Sequence, residues 1–288
     1  MLLSVSSWIF GDEPLEAVFE RASRYGLDGV ELVAEPDGYD IDQIQQLCNK
    51  HKLKVFSLLG MYPWPTDSRD LSHPDADVRN RAVAYLQACV DLALALGARS
   101  VNVIPTGVFR TRPVRAEATE ELWTKASQEE WKHAVDSIRR AADYAQQRGV
   151  YLAIEPINRY ETYLVNNVEQ ALRFIEDVGS DAVRLQLDTF HMQMEEADPA
   201  EAVRKAAARL VNVHLADSNR RAVGDGQFNF RAVLDALRFI GYKGPLTLEP
   251  VPPGSDPFLA TRLTLHRSLR DRDVDVSVRR LRMMLESV

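Results

Sequence analysis

Cross-linking chemistry is almost missing from this chain: it holds two cysteines, Cys48 and Cys89, far apart and each inside a helical pattern. A disulfide-stapled secreted fold is thereby excluded, and a cytoplasmic protein with reduced thiols is the expectation. An excess of positive charge is missing too. Lys and Arg number 35 against 42 Asp and Glu, a formal net charge of -7. No global positive field exists to hold a polyphosphate backbone, so nucleic acid is not an expected partner. No run approaches the roughly 18 consecutive apolar residues of a membrane span, and no membrane association is expected. The opening MLLSVSSWIF lacks a basic leader and a small-residue cleavage pattern, and Asp12 and Glu13 follow at once; it reads as a first buried strand. Linkers and low-complexity segments are absent. What remains is 288 residues with 45% hydrophobic and 27% charged content, enough for one large core.

Short β-branched runs alternate with amphipathic stretches along the whole chain, as parallel βαβ units require. Eight runs are strand candidates: Leu2 to Ser7, Asp28 to Val33, Leu53 to Leu59, Ser100 to Ile104, Val150 to Glu155, Val183 to Asp188, Leu210 to Leu215 and Pro245 to Glu249. Most read as apolar on both faces, as strands between a barrel interior and a helical ring would be. Helical spacing marks Pro14 to Tyr25, Asp75 to Leu96, Gln128 to Arg148, Val168 to Val178 and Phe230 to Ile240. Several of these end at glycine just before the next strand. The pattern predicts an α/β fold, a single (β/α)8 TIM barrel spanning residues 1–288, with a C-terminal helical extension from about residue 258. Two longer loops, 60–74 and 105–127, follow the third and fourth strands, where a barrel builds its active face. Arg110, Arg112 and Arg115 in the second are either solvated surface or contacts for an anionic substituent.

One spacing carries chemistry. Glu155, Asp188, His214 and Glu249 are separated by 33, 26 and 35 residues, about one βα unit each, and each stands at or within a residue of the end of a strand run. In a barrel these ends converge on one mouth. Three carboxylates packed together raise one another's pKa unless a compensating charge is present, and a divalent cation supplies it. An oxygen-rich donor set with one imidazole suits Mn2+ or Mg2+, with Co2+ or Zn2+ also compatible.

Longer strings surround the four residues: EPINRYET from Glu155, QLDTFHMQMEE from Gln186, VHLADSNR from Val213, and GDG at Gly224 to Gly226. These resemble the ketose 3-epimerases of the D-tagatose and D-psicose type, within the xylose isomerase-like TIM barrel superfamily of sugar phosphate isomerases and epimerases. The resemblance is specific from about Val150 to Pro250; the N-terminal half matches in strand-helix rhythm and in SHPDADVR. It implies that Glu155, Asp188, His214 and Glu249 bind one divalent metal, Mn2+ foremost. It further implies that Glu155 and Glu249 are the acid/base pair, that Glu161, His191 and Arg220 hold the sugar's oxygens, and that the protein is a homodimer or homotetramer acting on a small-molecule sugar. Read without the resemblance, Glu161 and Arg220 could equally form a loop salt bridge, and His191 a satisfied semi-buried histidine.

The implied chemistry is C3 epimerisation of a ketose or related keto-sugar. Removing a proton next to a ketone requires stabilising the charge that moves to oxygen, and inversion requires a second acid/base group across the planar enediolate. A keto-sugar or keto-polyol isomerase and a C-glycoside lyase would use the same first step. A hydrolase like the barrel endonucleases that cut DNA at abasic sites would need a basic footprint and a histidine-rich metal cluster; only six histidines are present, with His51 and His133 in helical patterns. Trp8, Tyr62 and Trp64 follow strand ends and either wall a sugar face or pack the barrel mouth. Asp217 either orients His214 from behind or is a turn residue.

Overall fold

Eight parallel strands close on themselves in chain order in the computed structural model, each paired with its sequence neighbours and the last with the first. The structure describes residues 1–61, 67–114, 119–254 and 256–286. The strands are β1 (Leu2–Ser6), β2 (Gly29–Val33), β3 (Lys54–Leu59), β4 (Ser100–Val103), β5 (Tyr151–Ile154), β6 (Val183–Asp188), β7 (Leu210–Leu215) and β8 (Pro245–Leu248). Each lies within a residue, at either end, of the run expected from the sequence, and the fold is a single (β/α)8 barrel. The connecting helices are α1 (Leu15–Arg24), α2 (Ile41–His51), α3 (Ala76–Leu96), α4 (Glu120–Arg148), α5 (Val168–Val178), α6 (Thr189–Glu195), α7 (Pro199–Ala206) and α8 (Phe230–Phe239). After β8 come α9 (Pro257–Ala260) and α10 (Arg267–Glu286), the latter tied to the first βα unit through Arg270 and Glu13 at 2.7 Å. No helix among the described residues is long and apolar enough to cross a membrane.

The helix ends follow from local chemistry. Asp40, Asp75 and Asn167 cap α2, α3 and α5 by accepting from backbone amides in the first turn. At the other end Gly149 takes φ 68°, and a Cβ there would meet nothing within 4 Å, so glycine is dictated by the left-handed backbone alone. Gly60 has the opposite reason: a Cβ would stand 2.1 Å from the Asn102 carbonyl oxygen, and only glycine lets the end of β3 lie this close to β4.

Two helical features differ from the expectation. α4 begins at Glu120 rather than Gln128, capped by Thr119; its first turns leave Leu122 and Trp123 partly exposed, so they bury no stripe for periodicity to reveal. Between β6 and β7 the spacing marks no particular helix; there α6 springs directly from the last residue of β6, and α7 follows behind an Asp198 cap. Both are too short for a periodic signal.

The strands are also not apolar on both faces. Asn212 of β7 donates to Glu31 of β2 at 3.0 Å and to Gln186 of β6 at 2.9 Å, and accepts from Thr247 of β8 at 3.0 Å. Ser57 of β3 donates to Glu31 at 2.7 Å. Bonds between β7 and β2, which are not neighbours in the ring, can only run through the barrel interior, which many barrels fill with branched apolar side chains. Here the interior is polar and hydrogen-bonded to itself, while the other strand face packs on the helices.

Arg110 is neither free surface nor a contact waiting for an anion. Its guanidinium lies 2.8 Å from Asp70, bonds Glu130 of α4 and Ser72, and faces the Tyr163 ring. Asp70 and Glu130 are almost fully buried, so this one side chain neutralises two acids and pins together the loops after β3, β4 and β5. Arg112 is exposed, and Arg115 lies outside the described residues. Removing one partner of a buried ionic group strands the others. Arg110→Ala is expected to lower stability by about 3–5 kcal/mol in urea unfolding. Arg110→Lys should restore only part of this, because an ammonium cannot fork to both carboxylates.

Candidate active site

Four strand ends meet at the C-terminal mouth of the barrel. The amides of Glu155 and Glu249 continue the ladder one residue past β5 and β8, donating at 3.0 Å to the carbonyls of Val103 and Leu215, which aims both carboxylates inward. His214, in β7, has Nδ1 3.4 Å from Glu249 and 3.7 Å from Glu155. Asp188 ends β6 and also caps α6, its Oδ1 accepting from the Phe190 amide at 2.8 Å. That cap turns Oδ2 back toward the mouth, where it lies buried without a hydrogen-bond partner. One helical turn on, His191 brings Nε2 to 3.6 Å from the same oxygen. Ligand atoms of Glu155, Asp188 and His191 all lie within 4.8 Å of one another, as do those of Glu31, His214 and Glu249. The four residues singled out by spacing are therefore brought together, all of them buried.

The second layer is held from behind. Asn158 sets His191: its amide nitrogen lies 2.8 Å from His191 Nδ1 and also donates to Glu161 at 2.9 Å, while its oxygen accepts from the Tyr160 amide. With Nδ1 accepting, Nε2 carries the proton and presents it to the mouth. Arg220 reaches Glu249 at 3.3 Å, stands 4.0 Å from Glu161, and lies over the rings of Phe190 and Trp8. Its own backbone is left-handed, φ 57°, a strained state for a non-glycine residue that persists only where the surroundings impose it. They do: its amide donates to the Asp217 carbonyl at 2.7 Å, its carbonyl accepts from Val251 at 2.7 Å, and neighbouring Arg221 is forked to Asp273 of α10.

Asp217 does not orient His214. Its carboxylate accepts from the amides of Ser218, Gly224 and Phe228, folding the loop that carries Arg220. The group behind His214 is Glu31, with oxygens 3.0 and 3.2 Å from Nε2. Sequence reasoning missed it, as it missed Asn102, which donates to Glu155 at 2.7 Å, and Asn158. For Glu31 and Asn102 the available signal was a polar residue at an alternating position inside an apolar strand, GVELV and SVNV. Trp8 is buried and, with Ile104, Val108, Ile157 and Phe258, walls a cavity that Glu155, Glu161, His191, Arg220 and Glu249 also line. Tyr62 and Trp64 lie outside the described residues.

Burial and mutual repulsion set the charges. Burial, reinforced by Asp188 and Glu249, pushes the Glu155 carboxyl up to about 8; burial and Glu249 push Asp188 up to about 7. Burial would raise Glu249 as well, but His214 and Arg220 hold it below the ordinary range. His214 rises well above the usual value because Glu31 and Glu249 outweigh its burial, and burial with Arg220 nearby keeps His191 well below it. Oxygen donors crowded this closely, one of them without a partner, fit a hard divalent cation with room for an imidazole.

An eight-stranded parallel barrel with an acid-rich mouth of this kind defines a class, and comparison with known proteins places the chain within it. Residues 19–267 match the family described as the xylose isomerase-like TIM barrel, and the chain belongs to that family. An L-ribulose 3-epimerase of Mesorhizobium japonicum is 34% identical over 82% of this chain and 75% of its own length. A D-psicose 3-epimerase of Enterocloster bolteae is 32% identical over 80% and 75%. The solved structure of an L-ribulose 3-epimerase superposes with a TM-score of 0.83 at 29% identity, covering 99% of this chain and 95% of that one.

These charges fix the sign of a pH effect. Between pH 6.5 and 8 the folded, metal-free protein keeps protons on Glu155 and His214 that the unfolded chain has released, so its stability falls as pH rises. Glu249, depressed, matters only in acid, and His191 only below its unfolded value. A cation needs the deprotonated ligands. The melting temperature of metal-free protein should therefore fall from pH 6.5 to 8, and the increment on adding Mn2+ should grow over the same range. Calorimetric melts with and without the ion check both; a shrinking increment contradicts the assignment of the site.

Proposed function

We propose that this chain is an isomerase acting on carbohydrates, and specifically a divalent-metal-dependent ketose 3-epimerase. One observation carries the reading: Glu155 and Glu249, on strands three apart in a ring of eight, line one cavity together with Arg220 and His191. The names of the relatives support the sugar class. Glu155, Asp188, His214 and Glu249 would hold the ion, which we take to be Mn2+ from the oxygen-rich donor set. When bound, the ion supplies Lewis-acid polarisation of neighbouring ketone and hydroxyl oxygens.

The chain's own residues account for the proton chemistry. Glu249 and Glu155 line the cavity from strands three apart, so one is suited to take the C3 proton and the other to return one from the opposite face. Arg220 and the Nε2 proton of His191 stand where charge develops on the sugar oxygens, and Glu161 accepts from a hydroxyl. Trp8, Ile104, Val108, Ile157 and Phe258 keep bulk water from the planar enediolate. A cytoplasmic homodimer or homotetramer completes the reading.

Incubation with L-ribulose or D-psicose and Mn2+ in D2O, followed by NMR, should place deuterium at C3 and form the C3 epimer. Elimination or hydrolysis products without C3 exchange would sink the epimerase reading. Glu249→Gln should keep the fold, checked by a cooperative melt, and slow exchange by about 100-fold or more; full exchange in that variant would refute its role in proton transfer.

A further inference from the structure

Glu31 lies in the middle of β2, three strands round the ring from His214 in β7, and is fully buried. A carboxylate at such a place is costly unless donors satisfy it. Its Oε2 takes the Ser57 hydroxyl at 2.7 Å and the Asn212 amide at 3.0 Å. The His214 Nε2 hydrogen bond also falls on Oε2, at 3.2 Å, while Oε1 lies 3.0 Å from the same nitrogen and has no hydrogen-bond partner of its own. The imidazole is therefore gripped by one nitrogen from deep in the barrel, while the other, Nδ1, faces Glu155 and Glu249 at the mouth. Gln186, whose Oε1 accepts from Asn212 at 2.9 Å, turns its amide nitrogen toward the ring, 3.1 Å from Nε2 and 3.4 Å from Nδ1, so the acceptor facing Nε2 is Glu31.

We infer that Glu31 is a positioning residue for the metal site: it keeps the proton of His214 on Nε2, so that the lone pair of Nδ1 is directed at the ion. The inference rests on the reading of Glu155, Asp188, His214 and Glu249 as metal ligands. A carboxylate acceptor does this where an apolar or amide neighbour would not. It can only accept, so it selects the tautomer with hydrogen on Nε2, and its charge makes the opposite nitrogen a better donor to a cation. The interior network has the same purpose along its length. Ser57 and Asn212 hold Glu31, and Asn212 is held in turn by Thr247 at 3.0 Å, so a polar column from four strands ends on one imidazole. A structural role alone would be filled as well by leucine or valine, the usual contents of a barrel interior.

The test measures ion binding to the intact protein and does not depend on turnover. Mn2+ titration by calorimetry should give a Kd for Glu31→Gln weaker than wild type by about 10–100-fold, with a cooperative metal-free melt showing that the variant folds. Glu31→Gln added to His214→Ala should then weaken binding no further than His214→Ala alone. Equal Kd values for wild type and folded Glu31→Gln would overturn the inference, as would full additivity in the double variant. Nitrogen NMR of the wild-type Mg2+ form, which needs no variant to fold, should find the His214 proton on Nε2; a proton on Nδ1 would also overturn it. If wild type itself binds no divalent ion, the ligand assignment fails and the inference falls with it; ion binding by wild type with an unchanged Kd in Glu31→Gln overturns the inference alone.

Discussion

The arrangement depends on one electrostatic constraint: four carboxylates, Glu31, Glu155, Asp188 and Glu249, are buried around one imidazole and one guanidinium. In a medium that solvates charge poorly, such a group holds together only if every charge has an assigned partner. His214 stands at its centre, touching Glu31 on one side and Glu155 and Glu249 on the other. Arg220 covers the open side, and its left-handed backbone is tolerated because the loop from Asp217 to Gly226 and α10 give it no alternative. What these two cations leave uncompensated is the oxygen of Asp188 and the proton still held by Glu155. Those two features make the site an acceptor for a further positive charge.

Precision at the mouth comes from rigidity beneath it. Catalytic groups must sit within about half an ångström of their working geometry, and loops alone rarely achieve that. Here β-ladder amides aim Glu155 and Glu249, a helix cap aims Asp188, one turn of α6 spaces His191 from it, and Asn158 fixes the His191 ring. Below them the polar interior links β2, β3, β6, β7 and β8 by side-chain hydrogen bonds. Such a network specifies one arrangement where an apolar filling would permit several. Around the rim, Arg110 does for the loops after β3, β4 and β5 what His214 does for the centre: it gathers buried acids from separate segments.

By itself the sequence determined the architecture and the first ring of the site. Strand runs of four to six residues, each buried and each followed by a glycine-capped or N-capped helix, leave little choice but a parallel barrel. Their ends fall at regular intervals, so Glu155, Asp188, His214 and Glu249 could be grouped before any distance was known. Local rules also sufficed for the helices with a buried stripe. They did not for the first turns of α4 or for α6 and α7, where no stripe exists or the helix is too short to display one.

Tertiary structure decided everything that depends on which residues meet across the barrel. Nothing in GVELV says that Glu31 will face a histidine some 180 residues later, because closure of β1 on β8 is a global event and the contact exists only after it. For the same reason Asp217, near His214 in sequence, turned out to serve its own loop, and Arg110, in a stretch that reads as surface, proved to be a buried junction. Chain order predicts neighbours along a strand or a helix turn. Partners brought together by ring closure, and the charges they impose on one another, had to be read from the folded barrel.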